Sequence, residues 1–564
     1  MKIVSKIYSK TVLAAIVAFG SLLTSCTDYL TIIPPDKVVE ENFWQTKDQV
    51  NGMLATSYLK LLSADAVSKA IIWGELRSEN MTVSTREDVD IKNIVEADID
   101  DENRFCRWGI FYEAINYANL ILECADRVVE RDPDFSEGDL EVVKGEMYAM
   151  RALCHFYLVR TFRDIPLAMK SARNDAEIPE YVQVHPMEAL NTIMADLDLA
   201  EKMVMKSGAF SSDQHNFGRI TTNAVLAMKA DVNLWRAAFA KYYEDNAELV
   251  QPGDDQMYYD ACIENCRKVI FNMDSALKKK NENKPVEVFA YNLIQNKQKS
   301  NDNQSSAYDE IFGGKNSSES IFELQVQGDN VTNGRFNGVC NVYGTGSAVG
   351  WVQVPTTFAE TNFEEDDLRR YSYVSAPPKS SDADKSIKVL KYVAKGSPGK
   401  NFRKSDDWDA NWIIYRRTDV LLMMAEALVT RESAAETDFR EAFKIVKAIN
   451  TRSRRDSTDI TNPLYERNYM TQEKSMELVR KERLLELSYE GKRWYDLVRL
   501  ALREKSTKNI VYVAEKLENS AVVKIKMDKI DGLFMPIHID ELRYNKNLKQ
   551  NPAYESKSET TEKN

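Results

Sequence analysis

The chain has 564 residues, 43% hydrophobic and 10% aromatic, which excludes a disordered protein and provides for a large core. Its formal charge is −12 at pH 7, with no basic stripe to neutralise phosphates, so nucleic acid is excluded from the expected partners. The bland reading of that balance is a solvated acidic surface.

Lys2, Lys6 and Lys10 precede an apolar run from Thr11 to Phe19, and small residues then lead to Leu22-Leu23-Thr24-Ser25-Cys26. A basic start, a short apolar core and a small-residue cleavage site make an export signal. The run falls short of the roughly 20 apolar residues of a membrane span. Ending on a cysteine gives it the form of a lipobox, with residues 1–25 removed and Cys26 as the lipidated first residue. Residues 26–40 are read as a tether, since Pro34 and Pro35 block regular structure.

The body from residue 41 is expected to be mainly helical. Phe111–Glu130 repeats apolar residues at helical spacing, and Asp139–Phe162 carries a stripe of Val143, Met147, Met150, Leu153 and Tyr157. Thr222–Tyr242, opened by Thr221 or Thr222 as N-cap, pairs with Tyr258–Phe271. Residues 273–410 differ, being rich in Asn, Ser, Gly and Lys, with a β-type run at Ile321–Val326 and breaks at Gly344, Gly346 and Gly350. Helix returns at Trp412–Thr430, Asp438–Arg452 and Gln472–Leu500, and residues 555–564 read as a disordered tail. Leu421–Ala427 with Phe439–Ile449 has the alanine and aromatic spacing of a tetratricopeptide-type hairpin. The pairs Ala224–Ala237 with Tyr258–Ile270 and Phe111–Glu130 with Asp139–Phe162 read alike.

The screen for catalytic motifs is empty: HExxH, G-x-S-x-G and a P-loop are all missing. His155, His185, His215 and His538 lack metal spacing, His155 reading as a core residue, so no metal or cofactor is expected. The acidic run Asp98–Asn103 fails the calcium-loop pattern, with Asn103 where glycine belongs. Six cysteines follow Cys26 without the look of a disulfide framework. Glu482, Arg483, Glu486, Glu490, Arg493, Asp496 and Arg499 resemble an acid/base array, but helical spacing predicts pairing along one helix. Arginine beside a carboxylate lowers its pKa, which suits structure better than acid catalysis. Arg151 and Arg416 are expected to bridge hairpins by bidentate pairing.

Six segments in order carry a resemblance. They are Cys26–Leu30 with Asn42-Phe43-Trp44, Tyr112–Asn119, Glu146–Pro166, Gly218–Trp235, the run Trp412–Ala427 with Ile449–Arg454 and Lys481–Arg499, and Phe534–Tyr554. Together they resemble the SusD/RagB family of outer-membrane nutrient-binding lipoproteins of Bacteroidetes. Arg163 stands where that family usually has glycine, and Ala553 replaces another. The resemblance implies a mainly α, single domain of tetratricopeptide-like hairpins over residues 41–554. Its scaffold would be 41–272 and 411–554, with 273–410 as a loop-rich variable region that carries ligand choice. It also implies a lid over a SusC-like TonB-dependent transporter, an outer-membrane address through the lipid on Cys26 facing the cell exterior, and an oligosaccharide cargo. Some members take peptides instead, so a peptide cargo stays open, with a surface glycoside hydrolase and a pure tetratricopeptide adaptor as further alternatives.

A sugar offers an apolar face for aromatic stacking and a hydroxyl rim for Asn, Arg and Gln. Arg335, Asn337, Tyr343, Trp351 and Gln353 cluster among glycines in the variable region, where loops on a rigid scaffold set specificity. Trp73, Arg77 and Asn80, on an apparent loop from 73 to 86, form a second candidate group. For Trp73 and Trp351 a place in the core is equally open. Trp44, Trp108, Trp235, Trp412 and Trp494 are assigned to packing.

Overall fold

Thr46 starts the first helix, α1 (Lys47–Leu62), through a reciprocal cap in which its hydroxyl accepts from the Gln49 amide and the Gln49 side chain accepts from its own. Ten more helices of ten residues or longer follow among the described residues: α2 (Ala64–Glu75), α3 (Gly109–Cys124), α4 (Glu137–Phe162), α5 (Pro186–Met203), α6 (Thr222–Tyr242), α7 (Asp254–Lys280), α8 (Arg417–Thr430), α9 (Glu436–Ser453), α10 (Gln472–Leu487) and α11 (Arg493–Glu504). They belong to a computed structural model that describes residues 43–174, 177–280, 290–296, 306–326, 338–377, 386–394, 401–404, 408–455, 462–510 and 527–555. The expected export signal, Cys26, the expected tether, Arg335, Asn337 and the residues beyond 555 lie outside them.

Neighbours in sequence pack as hairpins: α3 on α4, α6 on α7, and α8 on α9, as the alanine spacing predicts, and also α4 on α5, a pair the spacing does not single out. Ala224, Ala227, Ala230, Ala237 and Ala240 are buried on α6, which lets α7 approach closely. The expected cap of α6 is supplied in part from elsewhere. Thr221 is the N-cap residue but its side chain makes no cap bond; the Ser207 hydroxyl accepts from the Asn223 amide instead, at 2.9 Å.

Two elements depart from their expected form. Trp412–Arg416 is a strand, β4, paired antiparallel with β2 (Ser320–Leu324). All ten residues of this ribbon are buried, which favours an apolar β-branched run over a helical turn. The expected helix Gln472–Leu500 is split in two. Tyr489 and Gly491 both adopt positive φ (68° and 70°), reversing the chain between α10 and α11. A Cβ on Gly74 of α2 would overlap the Gly491 carbonyl oxygen, so α2 and this turn meet backbone to backbone. Glu75 completes the join. Its buried carboxylate accepts from the amides of Tyr489 (2.7 Å) and Lys492 (2.9 Å), capping α11 from another helix.

Arg163 ends α4 in a γ-turn with φ 68° and ψ −74°, closed by the Asp164 amide donating to the Phe162 carbonyl at 3.0 Å. Positive φ explains why glycine suits the position. The arginine is held there by ion pairs to Asp164 and Asp531. Arg163→Ala keeps the strain and loses both pairs, with an expected cost of about 1–2 kcal/mol in urea unfolding. Arg163→Gly releases the strain and is expected to lie nearer the wild type.

Candidate functional site

The charged array is a structural hub. Arg369, Arg416 and Arg452, with no exposure at all, and buried Lys391 converge on Glu486 and Glu490. Arg416, the last residue of β4 rather than a helical one, takes Glu490 in a fork at 2.9 and 2.7 Å and reaches Glu486 at 2.9 Å. Arg452 bonds Glu486 at 2.6 Å, Arg369 bonds Glu482 at 2.7 Å, and Tyr308 donates to Glu486 at 2.9 Å. Pairing therefore runs between elements, not along one helix as the spacing predicts. The split at Tyr489–Gly491 turns α10 and α11 apart, and only Asp496–Arg499 keeps an i,i+3 pair within the array. Arg151 forks onto Asp196 at 2.8 and 2.7 Å, joining α4 to α5 as expected.

These pairs set the ionisation of the acids. Burial alone would raise Glu490, but Arg416 and Lys391 hold it down to about 2. Burial is likewise outweighed at Asp496, which Arg483 and Arg499 hold at about 2. Glu482 departs from the expected direction: burial raises it, and Arg369 offsets only part of that. Glu482, Glu486, Glu490 and Asp496 are each hydrogen-bonded to arginine, the arrangement of a structural hub. His155 is buried and pushed down to about 3 by burial and the Arg151 charge, a core residue as expected. Within the Asp98–Asn103 run the Glu102 amide donates to Asp100 at 3.1 Å, and Asn103 ties the run to its flanks, accepting from the Phe105 amide and donating to the Asp90 carbonyl. Among the described residues no group of His, Cys, Asp or Glu could hold a metal ion, and the six cysteines are buried and form no disulfide with one another.

The two candidate binding segments do meet. Strand β1 (Thr82–Val83) pairs antiparallel with β3 (Val352–Gln353), and the Ser84 amide donates to the Trp351 carbonyl at 3.0 Å. Gln353 adds its side chain, donating to the Val83 carbonyl at 3.0 Å. Trp351 is half-buried, with Arg104 over its ring at 5.0 Å and Phe105 edge-on at 6.0 Å. Arg104 in turn forks onto Asp88 at 2.9 and 2.8 Å and reaches Asp90 at 2.5 Å. Burial would raise Asp88, but the Arg104 hydrogen bonds hold it below the usual carboxylate range. Trp351, Arg104, Asp88, Asp90 and Gln353 thus form a shelf with an apolar plane and a charged, hydrogen-bonding rim. Arg104, Asp88 and Asp90 are absent from the sequence-derived set. The nearest signal for them is the charge run Arg86–Asp90 beside the predicted loop.

The other candidates belong to the interior. Trp73 is helical, on α2 rather than on a loop, and 1% exposed. It stacks on Phe111 at 5.1 Å and donates through its indole nitrogen to the Phe105 carbonyl at 2.8 Å. Arg77 lies buried over the Trp494 ring at 4.3 Å, and Asn80 donates to Glu75 at 2.5 Å. Tyr343 is buried and donates to the Tyr489 carbonyl at 2.8 Å. None of these four presents a surface in this conformation. Trp44, Trp108, Trp235, Trp412 and Trp494 are all buried, in agreement with their assignment to packing.

A family model described as "SusD family" matches residues 356–554, and one described as "Starch-binding associating with outer membrane" matches residues 28–234. The chain belongs to the SusD/RagB family. Two curated relatives from Formosa agariphila agree along most of their lengths. SusD-like protein P38 is 24% identical, covering 85% of this chain and 88% of its own, and SusD-like protein P2 is 25% identical, covering 94% and 97%. The fold of this SusD/RagB protein is shared with a solved SusD homolog from Bacteroides thetaiotaomicron (TM-score 0.67, 18% identity, 92% and 98% coverage). It is shared also with NanU from B. fragilis (TM-score 0.64, 18% identity, 93% and 100% coverage).

Proposed function

We propose that this SusD/RagB protein is a non-enzymatic, lipid-anchored surface protein that binds an oligosaccharide and passes it to a SusC-like TonB-dependent transporter, acting as its lid. Family membership supports a nutrient-binding role in association with the outer membrane. Cys26 would anchor the mature chain in lipid, with 26–40 as tether and 41–554 as the binding domain facing outward. Among the described residues no helix is long and apolar enough to cross a membrane. The observation that carries the ligand class is the Trp351 shelf. A part-exposed indole beside Arg104, Asp88, Asp90 and Gln353 supplies a stacking plane and a polar rim, the two requirements of a sugar ring.

Calorimetric titration of the full chain in detergent, against panels of oligosaccharides and of peptides, tests this reading. Binding of one glycan class is expected, weakened about tenfold by Trp351→Ala through loss of about 1.4 kcal/mol. Peptide binding with no glycan response would move the cargo to peptide. Release of reducing ends would establish a hydrolase, and unchanged affinity in Trp351→Ala would remove the shelf from the site.

A further inference from the structure

A cleft of about 260 Å³ opens between α8, α10 and α11, and none of the residues of the Trp351 shelf lines it. The acids on its wall are occupied. Glu79 pairs with Arg493 at 2.5 Å, Asp496 and Glu426 with Arg483 at 2.8 and 3.3 Å, and Glu477 with Lys474 at 2.9 Å. Two guanidinium groups on the same wall are poorly matched. Among the described residues Arg480 meets a carboxylate only at 3.9 Å, on Glu504. Arg503 donates through Nη1 to the Thr430 hydroxyl at 3.3 Å and lies beside the buried Tyr259 phenol, while its buried Nη2 has no hydrogen-bond partner within standard geometry among the described residues. Burial and the Arg503 charge together lower the Arg480 pKa, as expected of two cations that face a common space.

Under-paired guanidinium groups at a cleft are costly when empty and well suited to an anion, because their planar donor forks match tetrahedral oxyanions. The volume lies below the roughly 300–1,000 Å³ of sites for drug-sized ligands, so the cleft admits a small group and not a sugar chain. We propose that this cleft binds a small tetrahedral oxyanion, phosphate or sulfate, between Arg480 and Arg503. Thr430 and Asn509, also on the wall, provide further polar contacts. The ion can be free or can be an ester group on a larger molecule.

Titration of the full chain in detergent with sodium sulfate and sodium phosphate, against sodium chloride at matched ionic strength, decides the matter. Saturable binding of the oxyanions is expected, weakened at least about tenfold by either Arg480→Gln or Arg503→Gln. In chloride alone, Arg480→Gln is expected to unfold at no lower urea concentration than the wild type, since it removes repulsion. That half-exposed position keeps the test open should Arg503→Gln misfold. Trp351→Ala is expected to bind the oxyanions normally, which separates this site from the shelf. Equal binding of glucose 6-sulfate or glucose 6-phosphate would identify an ester as the occupant, and binding of the inorganic ions alone would identify the free ion. Absence of saturable binding, or binding as tight as the wild type's in both arginine variants, would overturn the proposal.

Discussion

Replacing Glu486 by alanine is expected to lower the unfolding free energy by about 3–5 kcal/mol, the range for breaking a buried ion pair. The carboxylate is fully buried and takes hydrogen bonds from Arg416, Arg452, Arg369 and Tyr308. Its removal takes one buried carboxylate partner from each of three guanidinium groups, leaving Arg416 to Glu490, Arg452 to Glu319 and Arg369 to Asp367 and Glu482. Arg369 lies in the segment 338–377, between the helical pairs, and Arg452 in α9, so the loss is expected to loosen that segment before the hairpins melt. Hydrogen exchange would show this as early deprotection around residues 367–374 and 387–393. The same hub gives an acid limit. Glu490 sits at about 2 in the folded chain against an ordinary 4.5, so its contribution is present above about 4.5 and is lost as pH falls through about 2. Urea midpoints measured from pH 6 to pH 2 should fall across that window, and Glu490→Gln should fall less steeply.

Replacing Trp73 by alanine is expected to cost about 3–5 kcal/mol of stability while leaving ligand affinity of the folded protein intact. The indole stacks on Phe111, meets Phe162 edge-on at 5.4 Å and bonds the Phe105 carbonyl, so alanine leaves a cavity and an orphaned acceptor. Urea unfolding paired with calorimetry separates this from Trp351→Ala, for which the reverse pattern is expected. A loss of glycan affinity in folded Trp73→Ala without loss of stability would return Trp73 to the binding surface.

Those two tryptophans mark where legibility in the sequence stopped. Each stands near polar residues in a stretch that lacks clear periodicity, and neither environment is local. Trp73 is covered by Phe111 and Phe162, from α3 and α4, whereas Trp351 is covered on one side by Arg104 and Phe105 and remains half-open. The array from Glu482 to Arg499 repeats the lesson. Helical spacing made an intrahelical ladder the economical reading, and one strained turn at Tyr489–Gly491 redirected every long pair except Asp496–Arg499.

What the sequence by itself determined was local or ordered along the chain. It set the basic-then-apolar pattern ending at Cys26, the helical periods of α3, α4, α6 and α9, the alanine faces of the hairpins and the run of family motifs. Period and composition are properties of neighbouring residues, so no partner segment is needed to read them. Tertiary structure alone decided which aromatic stays open, which arginine neutralises which carboxylate, and where two arginines are left facing a cleft. Burial and ion pairing depend on what packs above a residue, and those neighbours come from segments hundreds of positions away, as Glu75 does for the amides of Tyr489 and Lys492.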